Sequence, residues 1–265
     1  MLSKPLHILA ALAPAALFLA GCYTVPETGR RSLNLISPSQ ELQMGAMAFR
    51  EIKQTEKVST DADMNQTVNR VGQRIAKVVG DDLPDAEWEF VVFEDEDPNA
   101  FALPGGKVGV HTGLFKVAET DDELAVVMGH EIAHVTARHG AERVSQGLLL
   151  TAGGVALDVA LRDEDSGTRN LALAAYGVGS TVGVMLPYSR LNESEADEIG
   201  MIYAARAGYD PRAAVDFWTS MQKESEGKAK PPEWLSTHPS DTTRIERLKE
   251  MMPRMVEIYN KSDKQ

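Results

Sequence analysis

Two histidines four residues apart constrain this chain more than any other feature. The segment His130-Glu131-Ile132-Ala133-His134 sits in an apolar run with Leu124, Val126, Val127 and Met128, and no proline interrupts it. On an α-helix, residues four apart point within ~40° of each other, one turn along the axis. His130 and His134 then project from one face, where their imidazoles can hold a single zinc ion. Glu131 stands beside them, placed to act as a base on a water that the ion activates. The five-residue pattern alone recurs by chance as ordinary histidines and a solvated glutamate. Its place on an apolar helix is what favours a metal site. His139 lies ~140° around the helix from His134 and reads as structural or exposed, not as a ligand.

A catalytic zinc keeps three protein ligands and one open position. The stretch from Tyr188 to Asp197 holds Glu193, Glu195 and Asp197 at the start of an expected helix. Glu193 and Asp197 are four apart and share a face. One can bind the metal while the other hydrogen-bonds a ligating histidine. Spacing does not choose Glu193 over its neighbours, and Glu195 and Glu198 read as solvated.

The rest of the chain predicts an α+β fold that is predominantly α. Helices are expected from Pro38 to about Lys57, and over Met64–Val79, where Val68, Val71, Ile75 and Val79 fall near helical spacing. Trp88–Phe93 has the content of a strand, and Gly105-Gly106 marks a hairpin over 101–111. From Asp121 on the pattern is helical, and a last amphipathic helix covers about 241–259. Two glycine-rich apolar stretches, Gly147–Leu161 and Leu171–Leu186, read first as buried helices of a soluble domain and alternatively as segments that dip into a membrane, with 162–169 as a loop between them.

The N-terminus reads as export chemistry. Lys4, an apolar run over 8–20 and the small pair Ala20-Gly21 make residues 1–21 a signal peptide. The run is short of the ~20 residues a spanning helix needs. Cys22 follows at once and is the only cysteine, so no intramolecular disulfide forms. This arrangement resembles a bacterial lipobox, with Cys22 as the lipidated first residue. Tyr23 after it favours the outer membrane. Residues 22–37 then read as a lipidated tether and 38–260 as the main domain. A net charge of −12 offers no basic patch and argues against a nucleic-acid partner.

Four segments in order resemble the zinc metallopeptidase family M48, with its HtpX-like, Oma-type and CAAX prenyl-protease members. They are Asn99–Gly106, the helix through His130 and His134 to His139, Glu193-Ser-Glu-Ala-Asp197, and Thr237-His238-Pro239. The resemblance covers roughly 37–255. It implies a gluzincin-like zinc metalloprotease domain with a small β-sheet packed on the catalytic helix. It also implies zinc as cofactor, Glu131 as base, Glu193 as third ligand and Asp197 behind the ligands. His238 resembles a late histidine that, in some periplasmic relatives, fills the open zinc position. Tyr188, Arg190 and His238 are candidates to stabilise the oxyanion. The lack of a repeat extension and of clear spanning helices points to the small lipoprotein members. The expected function is a periplasm-facing endopeptidase, tethered by lipid, that cleaves unfolded or misassembled envelope proteins. The rivals are a non-catalytic assembly or chaperone lipoprotein with a structural or latent zinc site, a zinc amidase acting on the cell wall, and a membrane-embedded protease.

Overall fold

The computed structural model describes residues 21–226, 232–238 and 243–262. The expected signal peptide lies outside the described residues except for its last residue, Gly21. Strands β1 (Cys22–Thr24) and β2 (Arg31–Leu33) come first, followed by helices α1 (Pro38–Thr55) and α2 (Ala62–Val79). Next are strands β3 (Glu89–Phe93), β4 (Ala100–Leu103) and β5 (Lys107–His111). Helices α3 (Asp121–Thr136), α4 (His139–Ala160), α5 (Ser166–Ser180), α6 (Leu186–Arg206), α7 (Ala213–Ser225), α8 (Glu233–Thr237) and α9 (Arg244–Lys261) complete the described chain. The expected α+β, predominantly α class is what the structure has.

The described residues form two compact units, one of those up to Pro38 with Arg138–Leu191, the other of Ser39–Ala137 with those from Asn192 onward. The span 38–260, expected as one domain, draws on both.

The second unit holds a three-stranded sheet in the order β3-β5-β4, with β3 parallel and β4 antiparallel to β5. Gly105 (φ 88°) and Gly106 (φ 77°) make the β4–β5 turn, because side chains rarely tolerate positive φ at two successive positions. Strand β4 lies against α3, as expected of a small sheet on the histidine helix.

Helix α2 begins two residues earlier than its apolar period suggests, because the Asp61 side chain accepts a hydrogen bond from the Met64 backbone N–H at 2.9 Å. Its Val68, Val71 and Ile75 are wholly buried, and the helix packs on α3 and β3. Each such side chain contributes roughly 1.5–3 kcal/mol by leaving water. Thr120 and Glu123 form a reciprocal capping box that starts α3, which is buried on nearly every side. Helices α3 and α6 cross where Gly129 meets Gly200. A Cβ built on Gly129 would stand 2.7 Å from the Gly200 carbonyl oxygen, so only glycine allows the approach.

The first unit departs from expectation twice. Residues 22–37, expected as a tether, carry the antiparallel β1–β2 hairpin. Ser32 and Asn34 are buried, and the Leu35 N–H donates to Ser145 Oγ at 2.8 Å. A short hairpin against a neighbouring helix satisfies backbone groups that an extended tether leaves to water. The glycine-rich stretches are helical, but the expectation that they are buried is overturned: Leu148, Val155, Leu171 and Val178 are exposed. Periodicity reports an apolar face and is silent on whether anything covers it. The 162–169 insert is a tight turn over 162–165 followed by the first turn of α5. Asp165 caps α5 by accepting from the Gly167 and Thr168 N–H groups, which leaves no long loop.

Candidate metal centre

The site lies within the second unit. Helix α3 presents His130 and His134 one turn apart, and α6 brings Glu193 across the glycine crossing. The segment around α8 supplies His238. One ligand atom from each of these four side chains lies within 4.8 Å of the other three. His130 Nε2 is 3.1 Å from His134 Nε2 and 3.2 Å from His238 Nδ1. Glu193 Oε2 is 3.0 Å from His238 Nδ1 and 3.4 Å from His130 Nε2, and Oε1 is 3.4 Å from His134 Nε2.

These separations test whether a metal ion fits. Four ligands at ~2.1 Å on a tetrahedron stand about 3.4 Å apart. The observed spacing is close to that, and the donors are imidazole nitrogens and a carboxylate, the set zinc prefers. His130 is also oriented from behind, with Nδ1 3.0 Å from Asp197 Oδ1, so that Nε2 faces the other donors. The residues present fit a metal ion.

Two residues here carry no readable sequence signal. Arg244, 1% exposed at the start of α9, donates from Nε and Nη2 to both Asp197 oxygens at 2.8 and 2.6 Å. Its guanidinium also stacks 3.6 Å from the Trp218 ring centroid. Trp234 donates from Nε1 to Glu131 Oε1 at 2.7 Å, which fixes that carboxylate beside the donor group. An arginine opening a polar helix looks solvated, and a lone Trp looks like core. Only the fold reveals their partners.

The charges compete. Burial pulls the His130 imidazole toward neutrality, but hydrogen bonds with Asp197 and Glu193 outweigh it and raise the group to about 9. Burial opposes ionisation of Glu193, yet hydrogen bonds from His130 and His238 hold it well below the usual carboxylate range. For Asp197 burial is again outweighed, first by the charge of Arg244 and then by His130, and its pKa is lowered.

Other expected residues fall elsewhere. Tyr188 and Arg190 belong to the first unit, are exposed, and are not members of the donor group. Glu195, expected to be solvated, is 6% exposed because α6 is enclosed on most sides there. Glu198 pairs with Arg254. His139 is buried in the first unit, and Cys22 is exposed.

Two imidazoles one turn apart, a carboxylate from a crossing helix and a second carboxylate beside them make the donor set of a metallopeptidase. The chain belongs to peptidase family M48, whose model matches residues 62–252. It is 34% identical over 236 residues to the mitochondrial metalloendopeptidase OMA1 of Schizosaccharomyces pombe, covering 86% of this chain and 66% of that protein. Against the OMA1 of Saccharomyces cerevisiae the figures are 30% over 272 residues, 94% and 76%. The beta-barrel assembly-enhancing protease of Escherichia coli K12 is 31% identical over 253 residues, covering 93% of this chain. The chain spans 51% of that bacterial relative's length. Membership of this family and a donor group that fits a metal ion thus coincide in one chain.

Proposed function

We propose that this chain is a zinc endopeptidase, anchored by lipid on Cys22 in the bacterial envelope, that cleaves unfolded or misassembled envelope proteins on the periplasmic side. The observation that carries the catalytic reading is the convergence of His130, His134 and Glu193 with Glu131 fixed beside them by Trp234. The envelope role draws support from the relatives, one of which is named for enhancing β-barrel assembly. The lipobox-like Ala20-Gly21-Cys22 supports the anchor, and Tyr23 after it the outer membrane.

A bound zinc ion supplies a Lewis acid and brings the pKa of water toward neutrality. His130, His134 and Glu193 would hold it, and Asp197 keeps His130 in the orientation that offers Nε2. Glu131 takes a proton from water and returns it to the leaving amine. Strand β4 is the edge of its sheet, so its outer backbone groups can pair with an extended substrate. Such pairing reads backbone rather than side chains and suits unfolded protein. Casein incubated with the zinc-loaded chain is expected to yield fragments, and a chelator to stop them. Cleavage of cell-wall peptides without casein cleavage would instead support the amidase reading.

His238 favours a second, latent state of the same enzyme. As a fourth donor it would compete with a substrate carbonyl for the ion, and its Nε2 stands 3.4 Å from Glu131 Oε1. His238→Ala is expected to raise casein hydrolysis about tenfold, which corresponds to a closed state favoured by ~1.4 kcal/mol. An unchanged rate would remove the latch. His238 is also the one oxyanion candidate within the donor group. A fall in rate would assign it that role instead.

Metal binding is linked to protons. With His130 raised to about 9, the metal must displace a proton at neutral pH. Zinc affinity is therefore expected to rise about tenfold per pH unit between roughly pH 6 and 8 and to level off above the His130 pKa. Competition with a chromophoric chelator measures it, and a flat affinity would show that His130 is already neutral over this range.

A further inference from the structure

The first unit carries a feature that peptide hydrolysis does not use. Helices α4 and α5 form a hairpin, closed by the Tyr176 hydroxyl donating to the Leu150 carbonyl at 2.8 Å. Away from this seam the outer faces are apolar and open. Leu148, Val155 and Val159 are 52%, 60% and 58% exposed. Leu171, Val178 and Val182 are 72%, 65% and 59% exposed. Leu148, Val155 and Val159 repeat at i, i+7 and i+11, which keeps them within ~40° on one face of α4; Leu171 and Val178 share a face of α5, and Val182 follows on the π-helical turn after it. Contiguous apolar surface of this kind is rare on a chain surrounded only by water.

Three observations choose the occupant. The continuous helix Ser166–Arg206 is long and apolar enough to cross a membrane, and its most apolar window is 0% buried. The charge inside the α4 stretch is already neutralised: Asp158 accepts from Arg169 Nε and Nη2 at 2.7 and 2.6 Å. That pairing lowers the cost of leaving water, which is high for a lone carboxylate. Cys22 also belongs to this unit. It lines a hollow of about 410 Å³ together with Leu149, Leu150, Val184 and Tyr188.

We propose that the α4–α5 hairpin is a second membrane attachment, its outer face resting among the acyl chains of one bilayer leaflet on the side where Cys22 is anchored. The lipid on Cys22 is part of the proposed function, and this inference takes its choice of leaflet from it. The hairpin does not span. Gly147–Leu161 reaches only ~22 Å at 1.5 Å per residue, short of the ~30 Å hydrocarbon core. The turn carries exposed Arg162, Asp163, Glu164 and Asp165, which crossing would bury. The hairpin therefore lies in the interface as a monotopic element does.

The test uses the full chain, matured in a bacterial host and mixed with vesicles of zwitterionic phosphatidylcholine. Val155→Cys and Val178→Cys, at exposed sites whose replacement leaves no cavity, carry a polarity-sensitive dye. Lys77→Cys, on the exposed face of α2, is the control. Emission at 155 and 178 is expected to shift to the blue and to be quenched at least about twofold by lipids brominated in their acyl chains, with no change at 77. Dyes at 155 and 178 that behave like the one at 77 would overturn the proposal. A blue shift that grows with protein concentration but is not quenched by brominated lipid would overturn it too, and would assign the face to a second copy of the chain. The mass of the parent chain reports separately whether Cys22 carries lipid, so failure of the anchor and failure of the hairpin are read apart.

Discussion

Glu131→Gln is expected to lower casein hydrolysis by about 10²–10⁴ while leaving the fold and metal content unchanged. The substitution keeps shape and length. The amide oxygen still accepts the Trp234 Nε1 hydrogen bond that Glu131 Oε1 receives at 2.7 Å. What is lost is the ability to take a proton from water, the task assigned to this carboxylate. A structural role would move stability, so the unfolding midpoint is measured beside the rate. Loss of rate with an unchanged midpoint and full zinc supports Glu131 as base. A variant that hydrolyses casein as fast as the parent would remove that role and point to a contaminating protease.

Arg244→Met is expected to cost about 3–5 kcal/mol, because removing one partner leaves buried charge uncompensated. Arg244 is 1% exposed, holds both oxygens of Asp197, and stacks on Trp218. Methionine fills much of the volume and supplies no charge. For a domain of this size the midpoint of thermal unfolding should fall by roughly 6–20 °C. The sign of the pH dependence follows from Asp197. Its pKa is lowered in the folded chain, so the stabilisation is present above the ordinary carboxylate range and is lost as pH falls through the lowered value. The difference between parent and variant should therefore narrow in acid. Arg244→Lys restores the charge without the two-pronged geometry and should recover only part of the loss. A midpoint within a degree or two of the parent's would show that Asp197 has another counter-charge.

The consequence of Arg244 reaches the metal donors through contact. Asp197 lies between its guanidinium and His130 Nδ1, so one ion pair both neutralises a buried carboxylate and orients an imidazole. This is why a residue at the start of α9, far along the chain from α3, bears on a site that the α3 motif announces. His238 reaches the donor group in the same way, from the segment beside α8.

The local part of this protein is written in its sequence. The i,i+4 spacing of His130 and His134 is a property of one helix and needs no other element. The Thr120–Glu123 cap, the Gly105-Gly106 turn and the apolar period of α2 are likewise set by neighbours a few residues away. Tertiary structure decided the rest. Spacing alone does not choose Glu193 over the neighbouring carboxylates of α6. Glu193 faces the imidazoles because Gly129 and Gly200 let α3 and α6 cross closely enough. Arg244 and Trp234 join the site from segments whose local pattern carries no trace of it, and His238 is marked only by the resemblance of Thr237-His238-Pro239 to a family motif. The α4–α5 hairpin shows the limit most plainly. Its helices follow from period and caps, but the same apolar stripe suits a protein core or a membrane surface. Burial depends on what lies opposite a face, and the order of residues along one strand of chain does not contain that.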